Sequence, residues 1–421
     1  MLLQFKCSNY RSIKDEIVFS MGVSSDQTLS DSLILFNDNK YVRCAEIYGA
    51  NGSGKTSVLN ALGTMAGIVL QSNNFQPGDS IIRAPHRLSE REAPTEFAII
   101  LEKNGKKYSY GFSYNEKGVL DEYLYFWPGQ KKAKIFDRDD VDKFSFAPSF
   151  SKQGGNCKGR LKENQLLLSL AAKETDIEEI REVFLFFRQD LVIYPGEPNG
   201  WFEFSVEKLQ HDRAMKKRFL DFMHRIGSDI VDITARLERR ILTEKEVPPG
   251  FPKFLVPQLL RNPSNLIDLK LHYEKFSIDI NEESKGTQKL FNFLCPLIDI
   301  LYSGKVFVCD EIETHLHPSI VFEIVRTFLD NRETNGQIIF TTHDTDLLDL
   351  DYIRRDQIWF TELRPDTRAT DLYSLTELRN VRKDENIKKG YVSGKYGAIP
   401  VIGKTEKQIF KDLDDERKEN D

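Results

Sequence analysis

This sequence has few cysteines, no long apolar run and no excess of positive charge. Its 421 residues include five cysteines, none with the Cys-x-x-Cys spacing of a zinc or redox site, so we expect reduced thiols and no disulfide framework. No apolar run approaches the roughly 20 residues that a membrane span needs. The N-terminal segment becomes polar too early for a secretory signal peptide. These absences predict a cytoplasmic protein without a membrane partner.

The balance of charges argues against one class of nucleic-acid binder. Lysine and arginine number 59 and aspartate and glutamate 65, which gives a net charge of −6 with histidine neutral. A histone-like or tail-type binder would be basic, although local basic patches stay possible. Hydrophobic residues make up 40% of the chain, so the protein has enough apolar material for a core and is not disordered throughout.

Strand and helix patterns divide the chain into four predicted parts. Residues 1–71 contain alternating strands, a glycine-rich segment and an amphipathic helix. Residues 72–265 change in character and are interpreted as a globular insert of antiparallel strands and helices. Strand–helix alternation returns in residues 266–403, which predicts an α/β layer with a largely parallel sheet. Residues 404–421 form a charge-dense tail.

The insert begins with strands that are rich in aromatic residues. Turn signals at 104–105 (Asn-Gly) and 117–118 (Lys-Gly) predict three antiparallel strands. The aromatic residues of these strands could form either a small hydrophobic core or a platform on which nucleic-acid bases stack, and we expect the core. The aromatic residues are Tyr108, Tyr110, Phe112, Tyr123, Tyr125 and Phe126.

The strongest motif is a glycine-rich segment between a strand and a helix. Residues 49–56 read G-A-N-G-S-G-K-T, which matches G-x-x-x-x-G-K-[ST]. Such a loop wraps closely, so that its backbone N–H groups converge on phosphate oxygens at the helix N-terminus. An ordinary glycine-rich turn is the alternative, but the flanking elements favour a nucleotide site with Lys55 on the phosphates and the Thr56 hydroxyl on Mg²⁺. The predicted nucleotide-binding residues of this segment are Asn51, Gly52, Ser53, Gly54, Lys55, Thr56 and Ser57.

A second apolar strand ends in two carboxylates, in residues 305–311 (K-V-F-V-C-D-E). Open α/β sheets place their ligands at the carboxyl ends of the strands. Asp310 suits the Mg²⁺ shell, and Glu311 suits orienting or deprotonating an attacking water. By itself this segment would be interpreted as a buried strand that runs into an acidic turn. The glycine-rich loop makes the functional interpretation the stronger one.

Two weaker segments complete the set. The apolar strand at 337–343 ends in His343, which is either a structural side chain or a donor to the γ-phosphate. Residues 283–288 (E-S-K-G-T-Q) open an apolar helix with a serine and a glycine, which is a good anion site and also a common helix cap.

In this order, the four segments resemble those of ABC-type ATPases of the SMC/RecF/OLD group. More narrowly, the chain is similar to the AAA-family ATPases of bacterial phage-defence operons, such as the PARIS and RloA types. Further matching segments are N-Y-R-S at 9–12, D-E-I-E-T-H-L-H-P at 310–318, T-T-H-D at 341–344 and K-K-G-Y-V-S-G-K-Y-G-A-I-P at 388–400. The resemblance implies an α/β P-loop NTPase fold (an ABC-type head) with a mostly parallel central sheet, an antiparallel β layer and a mixed α/β insert.

The resemblance also implies ATP and Mg²⁺ as cofactors and a set of roles. Glu311 would be the catalytic carboxylate, His343 the switch histidine and Lys55 the third catalytic residue, while Thr56 and Asp310 would hold the metal. Arg11 would be a phosphate or adenine-side contact, with a surface arginine as the alternative.

Dimerisation is implied as well. Two ATP molecules would lie between the halves of a head-to-head homodimer, or of a larger assembly of such dimers. Ser284, Gly286 and Gln288 would act on the nucleotide of the second subunit. His315 and His317 would lie where the halves meet, and a metal pair there is disfavoured.

Several departures from the family pattern matter. The E-S-K-G-T-Q segment is not the L-S-G-G-Q of transporters, and the spacing from the glycine-rich loop is too long for a transporter subunit. A Q-loop glutamine has no clear position, Gln71 being the nearest candidate. The chain also lacks the long coiled coil that SMC proteins have at the position of the insert.

Two functions remain open. The first is a slow sensor or regulatory ATPase of antiphage defence, triggered by a nucleic acid or a phage protein and acting with a separate effector, expected to be a nuclease. Fewer than 80 residues follow His343, too few for the TOPRIM nuclease domain of OLD-type proteins. The alternative is a RecF-like repair ATPase that acts directly on DNA and needs a basic stripe. Candidates for the stripe are Lys106, Lys107, Lys131, Lys132, Lys134, Arg236, Arg239 and Arg240.

Overall fold

The computed structural model describes residues 1–76, 78–141, 143–194, 201–243, 246–247, 252, 256–314, 316–379, 381–382 and 385–400. In chain order, the strands are β1 (Leu2–Ser8), β2 (Ile17–Ser20), β3 (Ile34–Phe36), β4 (Asn39–Tyr41), β5 (Cys44–Gly49), β6 (Thr95–Lys103), β7 (Lys106–Tyr114), β8 (Val119–Trp127), β9 (Ala133–Arg138), β10 (Phe144–Phe146), β11 (Leu191–Tyr194), β12 (Asp232–Arg240), β13 (Ser264–His272), β14 (Ser277–Asp279), β15 (Val306–Cys309), β16 (Gln337–Thr341), β17 (Ile358–Leu363) and β18 (Thr370–Ser374). The α-helices are α1 (Lys55–Gln71), α2 (Ser151–Gly154), α3 (Leu167–Glu174), α4 (Glu178–Leu185), α5 (Trp201–His211), α6 (Arg213–Arg225), α7 (Val256–Leu259), α8 (Lys285–Tyr302), α9 (Pro318–Asp330) and α10 (Ile387–Val392).

A six-stranded, mostly parallel sheet forms the centre of the fold. Its order is β11-β15-β16-β5-β17-β18, and only the β17–β18 pair is antiparallel. Every residue of β5, β15 and β16 is buried, as is usual for parallel strands that are covered on both faces. Because these three neighbours are parallel, the segments that follow them leave the same edge of the sheet.

Two hydrophobic cores lie on opposite faces of this sheet. Successive side chains of a strand point to opposite faces, so Val306 and Val308 of β15 enter one core, and Phe307 and Cys309 enter the other. The first core also receives α1 and the antiparallel sheet, and the second receives α5, α6, α8 and α9. The predicted α/β architecture is confirmed.

The antiparallel layer is a seven-stranded sheet of order β10-β9-β8-β7-β6-β1-β2. The strands between residues 72 and 265 therefore do not form a unit of their own, because β6 is hydrogen-bonded to β1 and β11 is hydrogen-bonded to β15. β12 belongs to a small sheet of order β12-β13-β14. In this sheet, β13 crosses the predicted boundary at residue 265, and β14 lies after it. The domain boundaries predicted at residues 72 and 265 stay predictions. Pairing between strands that are distant in the chain has no signal in the local sequence.

The aromatic residues of the antiparallel layer are split between its two faces. Tyr108, Tyr110 and Phe112 on β7 are buried in the first core, as expected. Tyr123 and Tyr125 on β8 point to the other face, because their core-facing neighbour is Leu124. On that face Lys132 Nζ lies 4.0 Å from the ring centroid of Tyr125.

The five cysteines are free and buried. Burial raises the pKa of the Cys295 thiol to about 12. Within the ranges that the structure describes, no helix is both long and apolar enough to cross a membrane.

Candidate functional site

The glycine-rich loop joins the end of β5 to the start of α1. Gly52 and Gly54 have φ angles of 77° and 107°, in the region that favours glycine. A Cβ atom on Gly54 would lie 2.0 Å from Thr370 Oγ1, so the loop passes too close to β18 for any side chain at this position. The first N–H groups of α1 have no helical partners and are free to bind an anion. The loop therefore has the glycine conformations and the adjoining helix N-terminus that the predicted phosphate site needs, while phosphate binding itself stays a prediction.

Two strands that the sequence did not connect with the loop hold it in place. Ser53 Oγ lies 2.6 Å from Thr361 Oγ1 on β17, and Thr370 Oγ1 on β18 donates to the carbonyl of Ser53 at 3.0 Å. Ser12 donates a hydrogen bond of 2.9 Å to Ser57 Oγ at the start of α1. These contacts use the Ser53 and Ser57 side chains within the protein, whereas Asn51 and Gly52 are exposed.

Lys55 and His343 meet at the edge of the central sheet. Lys55 is 6% exposed, and its Nζ donates to the carbonyl of Gly49 at 2.8 Å and lies 3.1 Å from His343 Nε2. Since an ammonium group can only donate, Nε2 of His343 is the acceptor in this contact. Burial lowers the pKa of Lys55, and the nearby Asp310 and Glu311 partly oppose this effect.

Asp310 is held by hydroxyl groups from two sides. Thr56 Oγ1 donates to its Oδ2 at 2.8 Å, and Thr341 Oγ1 at the end of β16 donates to its Oδ1. A threonine hydroxyl and a carboxylate at this separation are the hard oxygen ligands that Mg²⁺ takes beside nucleotide phosphates. The two residues predicted to hold the metal therefore lie together, and their donor set fits magnesium.

Glu311 follows in a left-handed conformation, with φ of 47°. Its N–H donates to Thr341 Oγ1 at 2.8 Å, and the residue is exposed. Such a conformation is unfavourable for a residue with a side chain, and it occurs mostly where the surrounding structure requires it, often in functional sites. The turn therefore leaves the Glu311 carboxylate open to solvent beside Asp310.

Glu313 is a residue of the site that the sequence did not single out. Its Oε1 accepts a hydrogen bond of 2.7 Å from the N–H of His343. Its Oε2 is buried and has no hydrogen-bond partner among the described residues. A glutamate two positions beyond Glu311 has nothing in its local sequence to distinguish it from an ordinary turn residue.

The E-S-K-G-T-Q segment caps α8. Ser284 Oγ accepts from the N–H of Thr287 at 3.1 Å, and Gln288 Nε2 donates to the carbonyl of Glu283 at 2.9 Å. Gly286 is exposed, and a Cβ atom there would find only Ser284 Oγ at 3.8 Å. The helix-cap interpretation of Ser284 is thus confirmed, while the action of these residues on a second subunit stays a prediction.

Arg11 lines a cleft of about 800 Å³ together with Gly52 of the loop. Its N–H donates to the carbonyl of Ala84, and its guanidinium carbon lies 5.6 Å from the ring centroid of Tyr10. Besides Arg11 and Gly52, the cleft is lined by segments that the sequence did not connect with the site, including Arg87 and Arg368. These segments approach through tertiary structure alone.

Three remaining predictions have different outcomes. Gln71 is the last residue of α1, roughly 24 Å along a 17-residue helix from the loop, so it does not line the site. His317 Nδ1 accepts from the N–H of Ser319 and caps α9. His315, the other half of the metal pair that the sequence disfavours, lies outside the described residues.

Residues 388–400, the last of the segments that match the ATPase family, pack against the end of β5, where the glycine-rich loop begins. The ring centroid of Tyr391 on α10 lies 5.6 Å from that of Tyr48, and the Tyr391 hydroxyl donates to the carbonyl of Ala398 at 3.2 Å. Lys388 pairs with Asp346 in the segment after His343. This part of the chain therefore contacts both the end of β5, where the glycine-rich loop begins, and the segment that follows His343.

Most of the chain matches a known family of protein domains. Residues 45–350 match the family model described as "AAA domain, putative AbiEii toxin, Type IV TA system". No curated protein matches the sequence. Among solved structures, the chain is similar to an SMC head bound to the C-terminal winged-helix domain of ScpA, with 12% identity, a TM-score of 0.41, and coverage of 89% of this chain and 97% of that one. The SMC head domain from Thermotoga maritima gives 12% identity, a TM-score of 0.42, and coverage of 89% and 98%.

The matched region contains the glycine-rich loop, the Asp310–Glu311 pair and His343, which are the residues that meet at the edge of the central sheet. It also spans more than half of the chain. The protein therefore belongs to the AAA-domain family that this model describes, and its fold is that of a P-loop NTPase.

Proposed function

We propose that the protein binds ATP with Mg²⁺, hydrolyses it slowly, and dimerises around it as the regulatory subunit of a two-protein system. The observation that carries the proposal is the meeting of Thr56 with Asp310, and of Lys55 with His343, at one edge of the central sheet. Four side chains from three separate segments converge there beside the free N–H groups of a helix N-terminus. This is the arrangement that phosphoryl transfer needs, since it depends on positioning and on charge stabilisation.

Each residue has a role that its position supports. Lys55 binds the β- and γ-phosphates, and Thr56 and Asp310 hold Mg²⁺, which supplies neutralisation of the charge that develops on the transferred phosphoryl group. Glu311, exposed beside Asp310, orients or deprotonates the attacking water. His343 binds the γ-phosphate side of the nucleotide.

Candidate contacts also exist for the base of the nucleotide and for a second subunit. Arg11 borders the cleft next to Gly52, together with Arg87 and Arg368, and arginine suits either phosphate binding or stacking on a base. Ser284 and Gly286 are exposed, so they are accessible to the nucleotide of a partner subunit in a two-fold symmetric dimer.

The test of nucleotide chemistry uses the purified full chain. We expect Mg²⁺-dependent release of phosphate from ATP and saturable binding of a fluorescent ATP analogue. Lys55→Ala should abolish binding, because it removes a buried cation that contacts the loop, and Lys173→Ala, at an exposed lysine on α3, is the matched control. Absence of both binding and hydrolysis in the folded wild-type chain would overturn the proposal.

The antiphage role is the finer part of the proposal. It is supported by the resemblance of the motifs and by the family description, which refers to a toxin–antitoxin system. The effector is a separate protein, expected to be a nuclease, and the trigger is a nucleic acid or a phage protein. An affinity pull-down of tagged Glu311→Gln protein from its native host, with and without phage infection, tests this. A stoichiometric protein partner that changes on infection supports it, and abundant DNA without such a partner favours the repair ATPase.

Three of the eight basic residues that could form a DNA-binding stripe are paired with carboxylates. Lys106 lies within 3.7 Å of carboxylate oxygens of three glutamates on or near α4, and Lys134 is 3.3 Å from Asp137. Arg240 pairs with Glu246 at 2.5 Å. Cations that are already paired release fewer counterions from DNA, so a stripe built on them would bind weakly. Salt-dependent affinity for duplex DNA in the absence of a partner would reverse this assessment.

A further inference from the structure

The turn after β15 is joined to the end of β16 by four hydrogen bonds. Thr341 contributes three of them: its hydroxyl donates to Asp310 and accepts from the N–H of Glu311, and its carbonyl accepts from the N–H of Ile312 at 3.2 Å. The fourth runs from the N–H of His343 to Glu313 Oε1 at 2.7 Å. The first three fix the turn that carries Asp310, the proposed Mg²⁺ ligand, and Glu311, which is proposed to act on the attacking water. The fourth is the only one of them that holds the backbone of the histidine itself.

The conformation of the turn explains why Glu313 is available for this contact. The left-handed φ of Glu311 reverses the chain direction, and the N–H of Thr314 closes the turn by donating to the carbonyl of Glu311 at 2.9 Å. Glu311 is thereby exposed, while Glu313 is half-buried with one oxygen on His343. Two glutamates of one turn thus face different surroundings.

The second oxygen of Glu313 has an unusual position. Oε2 is buried and has no hydrogen-bond partner among the described residues, although buried carboxylate oxygens are normally hydrogen-bonded. The Lys55 ammonium is close enough to be stabilised by the Glu313 charge, and it is also the group that contacts His343 Nε2. Glu313 is therefore linked to the backbone of His343 by a hydrogen bond and to the cation on the imidazole by charge.

We propose that Glu313 is a positioning residue, which acts through His343 and sets the place of that histidine relative to Lys55. The proposal deepens the proposed function and rests on it, because a switch histidine has a role only if the site hydrolyses a nucleoside triphosphate. Glu313 does not touch the reacting atoms. Its contribution is to hold the backbone of His343 through the hydrogen bond to Oε1, and so to keep the imidazole in register with the lysine and with the Asp310 turn.

The test compares Glu313→Ala with Glu313→Gln in the full chain. Alanine removes the acceptor for the His343 N–H, whereas glutamine keeps an oxygen that can accept it and removes the charge. We expect Glu313→Ala to lower kcat for ATP hydrolysis by about tenfold or more, the scale on which misplacement of a site residue acts. Its Kd for a fluorescent ATP analogue should stay close to that of the wild type. Glu313→Gln should recover most of the lost kcat, and Asp346→Ala, on the same segment but paired with Lys388 at the surface, is the matched control.

A measurement that does not depend on hydrolysis separates this proposal from the proposed function. In the nucleotide-free protein, hydrogen exchange in a peptide spanning residues 341–345 should be faster in Glu313→Ala than in the wild type and in Glu313→Gln. Unchanged kcat and unchanged exchange in Glu313→Ala would overturn the positioning role. Equal loss of kcat in both variants would overturn it too, since the charge and not the hydrogen bond would then matter. A wild-type chain that hydrolyses no ATP, with exchange altered as expected, would overturn the proposed function instead.

Discussion

The hydroxyl of Thr56 donates a hydrogen bond of 2.8 Å to Oδ2 of Asp310, although 254 residues separate the two in the chain. The first lies at the start of the helix after β5, and the second follows β15. Only β16 lies between these strands in the sheet, and all three are parallel. The contact therefore depends on the order of the strands, and it defines where Mg²⁺ would be held.

Thr56 and Asp310 should together set the Mg²⁺ concentration that ATP hydrolysis requires. We expect Asp310→Asn to raise the Mg²⁺ concentration for half-maximal ATP hydrolysis by about tenfold or more, and Thr56→Val to raise it less, because a charged ligand is worth more than a neutral one. A titration of Mg²⁺ at fixed ATP measures this. Binding of the ATP analogue without Mg²⁺ serves as the control and should change little. The same Mg²⁺ dependence in Asp310→Asn as in the wild type would show that the ion lies elsewhere.

The close approach of Gly54 to Thr370 predicts the effect of one added methyl group. Gly54→Ala places a Cβ atom 2.0 Å from Thr370 Oγ1 and in an unfavourable φ region, so the loop must move away from β18. We expect affinity for the ATP analogue to fall by about tenfold or more, as when a well-placed binding interaction is lost. Gly67→Ala in the same helix is the matched control, since a Cβ atom there has no neighbour within 4 Å. Normal affinity in Gly54→Ala would mean that the loop tolerates displacement.

Glu311 and the nucleotide-bound dimer can be examined together. Glu311→Gln should bind the ATP analogue as the wild type does but release phosphate at least about a hundredfold more slowly, because an amide cannot accept a proton from water. With ATP it should accumulate as a dimer, which light scattering coupled to size-exclusion chromatography would detect. Glu207→Gln, an exposed glutamate on α5, is the control. Hydrolysis at the wild-type rate would show that another group activates the water.

A buried carboxyl group beneath the loop predicts a pH dependence of stability. Burial raises the pKa of Glu46 on β5 from 4.5 to about 8, even though Tyr48 donates a hydrogen bond to it at 2.9 Å. The folded protein therefore keeps a proton that the unfolded chain releases above pH 4.5. The associated stability is complete below that pH and decreases as the pH rises through 8.

Glu46→Gln removes this titration and keeps the polar contact. We expect the free energy of unfolding of the variant to exceed that of the wild type increasingly between pH 5 and pH 8, by a few kcal/mol in total, since one pKa unit corresponds to about 1.4 kcal/mol. Urea denaturation at a series of pH values measures the difference. Parallel pH profiles of the two proteins would show that Glu46 is ionised in the fold.

Local sequence was sufficient for the residues whose chemistry is carried by a motif. The G-x-x-x-x-G-K-[ST] pattern placed Lys55 and Thr56 correctly at a helix N-terminus, and the apolar strand before Asp310 was found as β15. It was not sufficient for Glu313, Thr361 or Thr370. Each of these is an ordinary polar residue in its own segment and contributes only because another segment packs beside it.

By itself, the sequence determined which groups are candidates for binding a nucleotide, because a glycine-rich loop, a following lysine and a strand-terminal carboxylate have local signatures in spacing and hydrophobicity. The tertiary structure alone decided how they combine. The pairing of β6 with β1, the place of β16 between β5 and β15, and the return of β17 and β18 beneath the loop are hydrogen bonds between distant residues. Such pairings are selected by the burial of whole strands, and a local pattern states only that a strand can be buried, not which neighbour will cover it.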